Sequence, residues 1–461
     1  MSFSSKKFAI SALDMDFLIG VEASSLKKKI QYYEEKIDTL GEKDKNFGIL
    51  VSEKDPKNFT AAFFATLGRS VPVILANFQW GETEWKDFFN QFSPALVFGD
   101  VELRNNSKAK PINKEISDQL IFIPSGGSSK RGHRFVIHSW ETLCAQSMSV
   151  QTFIGGGSLH SICCLPLYHV SGLMQIVRAV ITEGQILLSQ ISTLDADLNL
   201  IIKSKALDIE LFCLSLVPTQ LERLLKKQSL LRYIANLKAI FLGGAAIQKE
   251  LLIKACEEKL PVVMTYGMTE TAGMVFAQNK EAFLLGEISV GNPLKDVSVE
   301  FIEDGGFKRI KVFSKSLFKG YWGGSLNRCL DGFLTNDYGS LDDNKRLQIE
   351  GRMDNWIISG GEKINPKEVE ACIGELNIIK DVMVVGKPHL EWGELAIALI
   401  VLKENLMQQS AASTIRAYAK KKLATHKIPK HIIFTKNLPF QENGKLDKAA
   451  LEILLKLDQS A

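Results

Sequence analysis

Short apolar runs rich in β-branched and aromatic residues recur along the chain and alternate with segments of helical spacing. They are NFGILV (46–51), VPVILAN (71–77), ALVFG (95–99), QLIFIP (119–124) and AIFLGG (239–244). Near-continuous apolar strands need cover on both faces, and the intervening helices supply it. Repeated strand-then-helix order therefore predicts an α/β fold of helix-covered, mostly parallel sheets. In SWETLCAQSMSVQTFIG apolar residues return every three or four positions, and in PTQLERLLKK Pro218 suits a first helical turn.

From about residue 286 the pattern changes to short alternating strands with glycine turns, SVEFIEDGGFKRIKVFSKSLFKGYW, which reads as an antiparallel β subdomain over about 286–350. At EGRMDNW a fresh α+β pattern begins. NPKEVEACIGEL reads as a helix, IKDVMVVGKPH and LAIALIVLK as strands, residues 412–424 as a lysine-rich helix and HIIFTKNLP as a strand. The expected organisation is a large part, 1–350, and a small domain, 351–461, consistent with a chain of 461 residues.

Composition excludes several roles. A hydrophobic fraction of 46% with 23% charged residues argues against long disorder, and a net charge of +4 is too weak a field to attract nucleic acid. Lys420, Lys421, Lys422, Lys427 and Lys430 read as a solvated face. Seven cysteines without a CxxC pair point to thiols in a reducing, cytoplasmic setting. The start, MSFSSKKFAISALDMDFLIG, lacks a secretory pattern. The uncharged stretch Ser161–Val177 is broken by Pro166 and His169, so no membrane span is expected.

Five segments carry polar chemistry. IPSGGSSKRGHRF sends a strand into a loop of Ser125, Gly126, Gly127, Ser128 and Ser129 followed by Lys130, Arg131 and Arg134, a composition able to wrap phosphates. LPLYHVSGLMQIVR holds His169 at a turn and Arg178 nine residues on; by themselves His169 reads by default as a core histidine and Arg178 can be read as a surface charge. FLGGAAI ends a strand in Gly243, Gly244 and Ala245, small enough for a flat ligand or simply for a tight turn. MTYGMTETAG packs Thr265, Tyr266, Gly267, Thr269, Glu270 and Thr271 together, with hydroxyls for phosphate and a hard carboxylate for Mg²⁺. The last pairs Asp337 in DGFLTNDYGSLD with GRMDNWIISGGEKINPKEVE, and an Asp and an Arg converging on one sugar can hold its two hydroxyls. QENGKLDK then exposes Lys445 in an Asn-Gly turn.

YGMTETAG, TNDYGSLD, GRMDNWIISGGEKINPKEVE and NGKLDK, in this order, resemble the adenylate-forming superfamily of acyl-CoA synthetases, luciferases and peptide-synthetase adenylation domains, over essentially the whole chain. LPLYHVSGLM, SLVPTQLERLL and FLGGAAI most resemble the 2-succinylbenzoate–CoA ligases of menaquinone and phylloquinone synthesis. The resemblance implies attack of a carboxylate on the α-phosphate of ATP with Mg²⁺, then transfer of the acyl group to CoA. It also implies roles. Ser125–Ser129 would cover the outer phosphates, Thr269 the α-phosphate, and Glu270 the metal. Tyr266 would stack on adenine, with Gly267 beside the acyl group and Gly243, Gly244 and Ala245 along the adenylate. Asp337 and Arg352 would hold the ribose, and Lys445 would serve adenylation. Asp354 matches the hinge about which the small domain turns between half-reactions, and His169 and Arg178 would line the acid pocket, Arg178 facing the carboxylate that does not react.

One departure stands out: where that superfamily runs Ser/Thr-Gly-Thr-Thr-Gly-x-Pro-Lys, this chain reads SGGSSKRGHRF, and Lys130, Arg131 or Arg134 would have to replace the missing lysine. The alternatives are a ligase for another aryl or medium-chain acid, and a non-catalytic adenylate-binding relative.

Overall fold

The computed structural model describes residues 16–102, 111–112, 119–129, 132–203, 208–245, 247, 249–304, 307–324, 331–353, 356–359, 362–389, 392–403, 408–423, 425–440 and 446–457. Two compact units emerge.

In the first unit each apolar run forms a strand. One sheet is ordered Gly320–Tyr321, Gly132–Ser139, Leu120–Ser129, Val73–Leu75, Ile49–Ser52, Leu96–Gly99, the last four parallel. A second is ordered Asn292–Pro293, Gly273–Ala277, Val262–Met268, Ala239–Leu242, Phe212–Leu216, His160–Cys163, Ile186–Leu188, parallel from Val262–Met268 onward. Helices Pro56–Gly68, Trp140–Phe153 and Val170–Ile181 join one apolar cluster with strand residues of both sheets: Phe59, Phe63, Leu143, Met174 and Val177 pack with Val51, Leu75, Ile123, Cys163 and Ile186. Val170–Ile181 is buried at every position from Gly172 onward. Gly172 permits this, since a Cβ there would stand 2.2 Å from the Pro166 carbonyl oxygen. The α/β architecture with mostly parallel sheets is thus as expected.

The second unit is not a simple cut at residue 350, because residues 300–311 and 334–342 belong with 348–461. The reason is an aromatic cluster: Phe307 lies 4.1 Å and Tyr338 5.0 Å from the Trp356 ring. Beyond it, Glu362–Ile364, Ile357–Ser359, Gly393–Leu402 and Ile379–His389 form an antiparallel sheet, with His431–Phe434 added parallel to Gly393–Leu402. Val369 and Ile373 of helix Pro366–Gly374 and Ile415 of helix Gln408–Lys422 cover it. No described helix is long and apolar enough to cross a membrane.

Candidate functional site

The MTYGMTETAG segment builds a rigid turn. Strands Val262–Met268 and Gly273–Ala277 run antiparallel and are joined by the short 3-10 turn Thr269–Thr271. Gly267 is required by close approach, since a Cβ there would lie 2.0 Å from the Gly273 carbonyl oxygen. The fully buried Thr271 accepts from the Met268 N–H at 3.0 Å and donates to the Gly273 carbonyl at 2.6 Å, locking the turn from inside. Thr269 and Glu270 remain half-exposed.

Two elements hold this turn from the neighbouring sheet. His138, wholly buried, contacts the Thr269 carbonyl through Nε2 at 2.7 Å and the Thr142 hydroxyl through Nδ1 at 2.9 Å. Burial lowers its imidazole to about 4, so the ring is neutral. The Glu270 carbonyl accepts from the Phe318 N–H at 2.9 Å, and its Oε1 accepts from the Tyr321 hydroxyl at 2.8 Å. Burial and the adjacent carboxylate push the Tyr321 phenol well up, which keeps it a donor. The Arg134 guanidinium sits over the Tyr321 ring, 4.5 Å from its centroid.

Gly243 and Gly244 end strand Ala239–Leu242. A Cβ on Gly243 would lie 2.4 Å from Thr265 Oγ1, which itself donates to the Leu242 carbonyl at 3.2 Å, and Gly244 adopts φ +81°. Gly244 and Ala245 are exposed, while Tyr266, edge-on to Phe276 at 6.2 Å, is half-buried on the neighbouring strand. Small residues and an aromatic at adjacent parallel strand ends leave room for a flat ring, at the end of the sheet where α/β folds bind ligands.

His169 is the N-cap of helix Val170–Ile181, half-buried and 4.6 Å from the Tyr168 ring. Arg178 is only 5% exposed. Its Nε donates to Gln146 Oε1 at 3.2 Å, while Gln146 Nε2 donates to the Met274 carbonyl at 3.1 Å. Its Nη2 would be 3.5 Å from a Cβ built on Gly273, immediately after the Thr269–Thr271 turn. Burial lowers its pKa to about 10. Among the described residues no carboxylate pairs with it. The surface-charge reading of Arg178 is therefore excluded.

The Ser125–Ser129 segment is not a loop after a strand, as its composition suggested. Strand Leu120–Ser129 runs through it and returns as Gly132–Ser139, with Ser125 opposite Arg134, Ser129 opposite Gly132 and a register shift between Ser125 and Ser129. Serine and glycine here extend a hairpin, because the apolar residues on either side already pair and fix its register.

In the second unit, Arg352 Nη1 lies 3.0 Å from Asp337 Oδ1; the carboxylate side chain is 5% exposed and the guanidinium 48%. The Asp337 N–H donates to Thr335 Oγ1 at 3.1 Å. The structure thus brings Thr269, Glu270, Gly267 and Arg178 to one turn and pairs Asp337 with Arg352. Lys445 and Asp354 lie outside the described residues, as do Lys130 and Arg131. His138, Tyr321 and Gln146 were missed by the sequence reading.

Mg²⁺ is bound with one or two carboxylates when phosphate oxygens and water complete its shell. Glu270 alone fits that donor set, and the described residues hold no cluster of three or more His, Cys, Asp or Glu side chains for a metal of another kind.

Comparison with known proteins agrees. Residues 133–322 match the AMP-binding enzyme model and residues 368–445 the AMP-binding enzyme C-terminal domain. The 2-succinylbenzoate–CoA ligase of Enterococcus faecalis is 34% identical over 303 residues, covering 62% of this chain and 59% of that protein. The Lactococcus lactis protein of the same name is 29% identical over 421 residues, 87% of this chain and 89% of that one. The match thus spans about 60% of the length of the first relatives. Among solved structures, the o-succinylbenzoate CoA synthetase of Bacillus subtilis with its acyl-adenylate intermediate superposes with a TM-score of 0.73 at 21% identity, covering 96% of this chain and 97% of that one. ATP-bound MatB of Rhodopseudomonas palustris gives 0.75 at 20% identity over 98% and 99%. With the AMP-binding enzyme model and its C-terminal domain model together matching more than half of the chain, the chain belongs to the AMP-binding enzymes.

Proposed function

We propose that the chain is an AMP-forming acid–CoA ligase whose acid is 2-succinylbenzoate or a close aryl dicarboxylate. The observation that carries this reading is Arg178, a buried guanidinium beside the Thr269–Glu270 turn with no described carboxylate partner. An uncompensated buried charge is costly, and a monocarboxylate consumed in the reaction gives it nothing permanent to bind. A substrate with a second, unreacting carboxylate does. The names of the relatives support the same choice.

In the first half-reaction a substrate carboxylate oxygen attacks the α-phosphorus of ATP, and the bond to pyrophosphate breaks with its electrons on the leaving group. Two anions must meet, so donors and cations have to be fixed in advance. Thr269 would contact the α-phosphate from a turn locked by Thr271 and His138. Glu270 would hold Mg²⁺, which when bound offsets phosphate charge. Gly243, Gly244, Ala245 and Tyr266 would flank the adenylate, Asp337 and Arg352 the ribose, and the Ser125–Ser129 arm the outer phosphates. Lys445 would bridge carboxylate and phosphate. In the second half-reaction the CoA sulfur attacks the acyl carbon and AMP departs. Residues 351–461 would turn about Asp354 between the two steps, and seven cysteines without a CxxC pair fit a cytoplasmic setting.

The test is pyrophosphate release with ATP and Mg²⁺, comparing 2-succinylbenzoate, benzoate and a medium-chain fatty acid with and without CoA. Preference for 2-succinylbenzoate that Arg178→Ala abolishes is expected. Turnover only with a monocarboxylate would reject the substrate, and no turnover with any acid would reject the enzyme.

A further inference from the structure

The hairpin that replaces the expected phosphate loop carries its own cation. We propose that Arg134, one of three cations in the stretch SGGSSKRGHRF, binds the pyrophosphate portion of ATP. The proposal rests on the ATP-dependent reading above.

Arg134 lies on the returning strand directly opposite Ser125, the first residue of the glycine- and serine-rich arm, and Ser125 Oγ donates to the Arg134 carbonyl at 3.3 Å. The Arg134 backbone is therefore tied to the first residue of the arm that would face phosphate oxygens. On its other side, Tyr321 pairs with Val136, two residues along the same strand, so the phenol ring falls on the face that Arg134 shares. The guanidinium rests on that ring at 4.5 Å, and the hydroxyl of the same ring holds Glu270 Oε1 at 2.8 Å. A single aromatic side chain thus fixes the carboxylate assigned to Mg²⁺ and the cation next to it.

Charge explains why both are needed. A lone carboxylate at the turn repels a polyphosphate, and a guanidinium held nearby would offset that repulsion. Stacking is what suits arginine to the task. A planar guanidinium on an aromatic face keeps its edge donors free, and that edge matches two phosphate oxygens at once. Arg134 is exposed and, among the described residues, makes no ion pair, so its charge is available to a ligand.

The experiment is calorimetric titration of the full chain with ATP plus Mg²⁺ and, separately, with AMP, for the native protein, Arg134→Ala and Arg134→Lys. AMP lacks the outer phosphates, so it reports the fold of the nucleotide site without them. Arg134→Ala should weaken ATP binding by about tenfold or more and leave AMP binding unchanged, the size expected for one charge-assisted contact. Arg134→Lys should recover part of the loss. Unchanged ATP affinity in Arg134→Ala, or an equal fall for AMP, would overturn the assignment. A native protein that binds ATP but releases no pyrophosphate with any acid would reject the ligase while leaving Arg134 in place. A native protein that binds no ATP would reject both.

Discussion

The Nε2 of His138 lies 2.7 Å from the carbonyl oxygen of Thr269, although the two residues are 131 positions apart. A carbonyl only accepts, so Nε2 carries the proton and Nδ1 accepts from the Thr142 hydroxyl. The ring is a spacer of fixed tautomer between the N-terminus of helix Trp140–Phe153 and the turn that presents Thr269 and Glu270. His138→Leu leaves the Thr269 carbonyl with the Ala272 N–H alone, a loss of about 1 kcal/mol. Adenylation kcat/KM should fall about tenfold or more, and His138→Gln, whose amide can donate from a similar position, should recover part of it. Equal damage in both variants would make the histidine a packing residue only.

The same ring gives stability a pH dependence. Its folded pKa of about 4 is below the unfolded value of 6.5, so between those limits the unfolded chain binds the extra proton. The contribution is fully present above pH 6.5 and is lost as pH falls toward 4, about 3 kcal/mol at 1.36 kcal/mol per unit. Urea midpoints measured from pH 7.5 to 4.5 should decline, and His138→Gln should flatten that decline. An identical slope in the variant would assign the acid sensitivity to other groups.

Strands such as Val73–Leu75 and Ala239–Leu242 were legible because an apolar run between turn residues has few other solutions. The Thr269–Glu270 turn was legible because hydroxyls, glycines and a carboxylate rarely crowd so closely. His138 was not, since a lone histidine in FVIHSWE carries no periodic signal and its partner is distant in sequence. Tyr321 was hidden for the same reason, as GYW reads as a strand end. The hairpin through Ser125–Ser129 was misread because glycine and serine signal loops locally, while pairing with Gly132–Ser139 decides the outcome. The β subdomain was legible, since Val297–Asp304, Phe307–Ser314, Phe333–Leu341 and Leu347–Arg352 form one sheet, but that 300–311 and 334–342 group with 348–461 was not, because Phe307, Tyr338 and Trp356 meet only after folding.

Two glycines of the site should respond differently to alanine. At Gly267 the new Cβ would meet the Gly273 backbone at 2.0 Å, and backbone in a locked turn cannot yield cheaply. At Gly244 the only contact among the described residues is Val217 Cγ1 at 3.6 Å, so the penalty is mainly the strain of φ +81°. Gly244→Ala should cost about 1 kcal/mol, and Gly267→Ala distinctly more, with loss of pyrophosphate release. Chemical denaturation of both variants decides this, and similar values would deny the close approach.

Arg352 stands half-exposed over a buried Asp337 carboxylate. Because solvent screens the guanidinium, Arg352→Ala should lower stability by only about 1 kcal/mol or less. Its larger effect should fall on ATP, raising KM severalfold with little change in kcat, as expected of a residue that binds ribose equally in ground and transition states. A fall in kcat at unchanged KM would remove Arg352 from nucleotide binding.

Arg178 offers the sharpest separation of stability from function. Its guanidinium is buried against Cys163, Cys213 and Gln146 with its pKa lowered to about 10, so the folded chain holds an ion that water would solvate better. Replacing such a group by an apolar side chain of similar length often stabilises the fold. Arg178→Met should therefore raise the urea midpoint, offset in part by the lost donor to Gln146. The same change should lower kcat/KM for 2-succinylbenzoate at least a hundredfold and leave that for benzoate unchanged or higher, since only the dicarboxylate brings a second charge to the guanidinium. A variant that is less stable and equally impaired with both acids would show Arg178 to be part of the framework, whereas a more stable protein blind to the second carboxylate is what a guanidinium kept for a substrate requires.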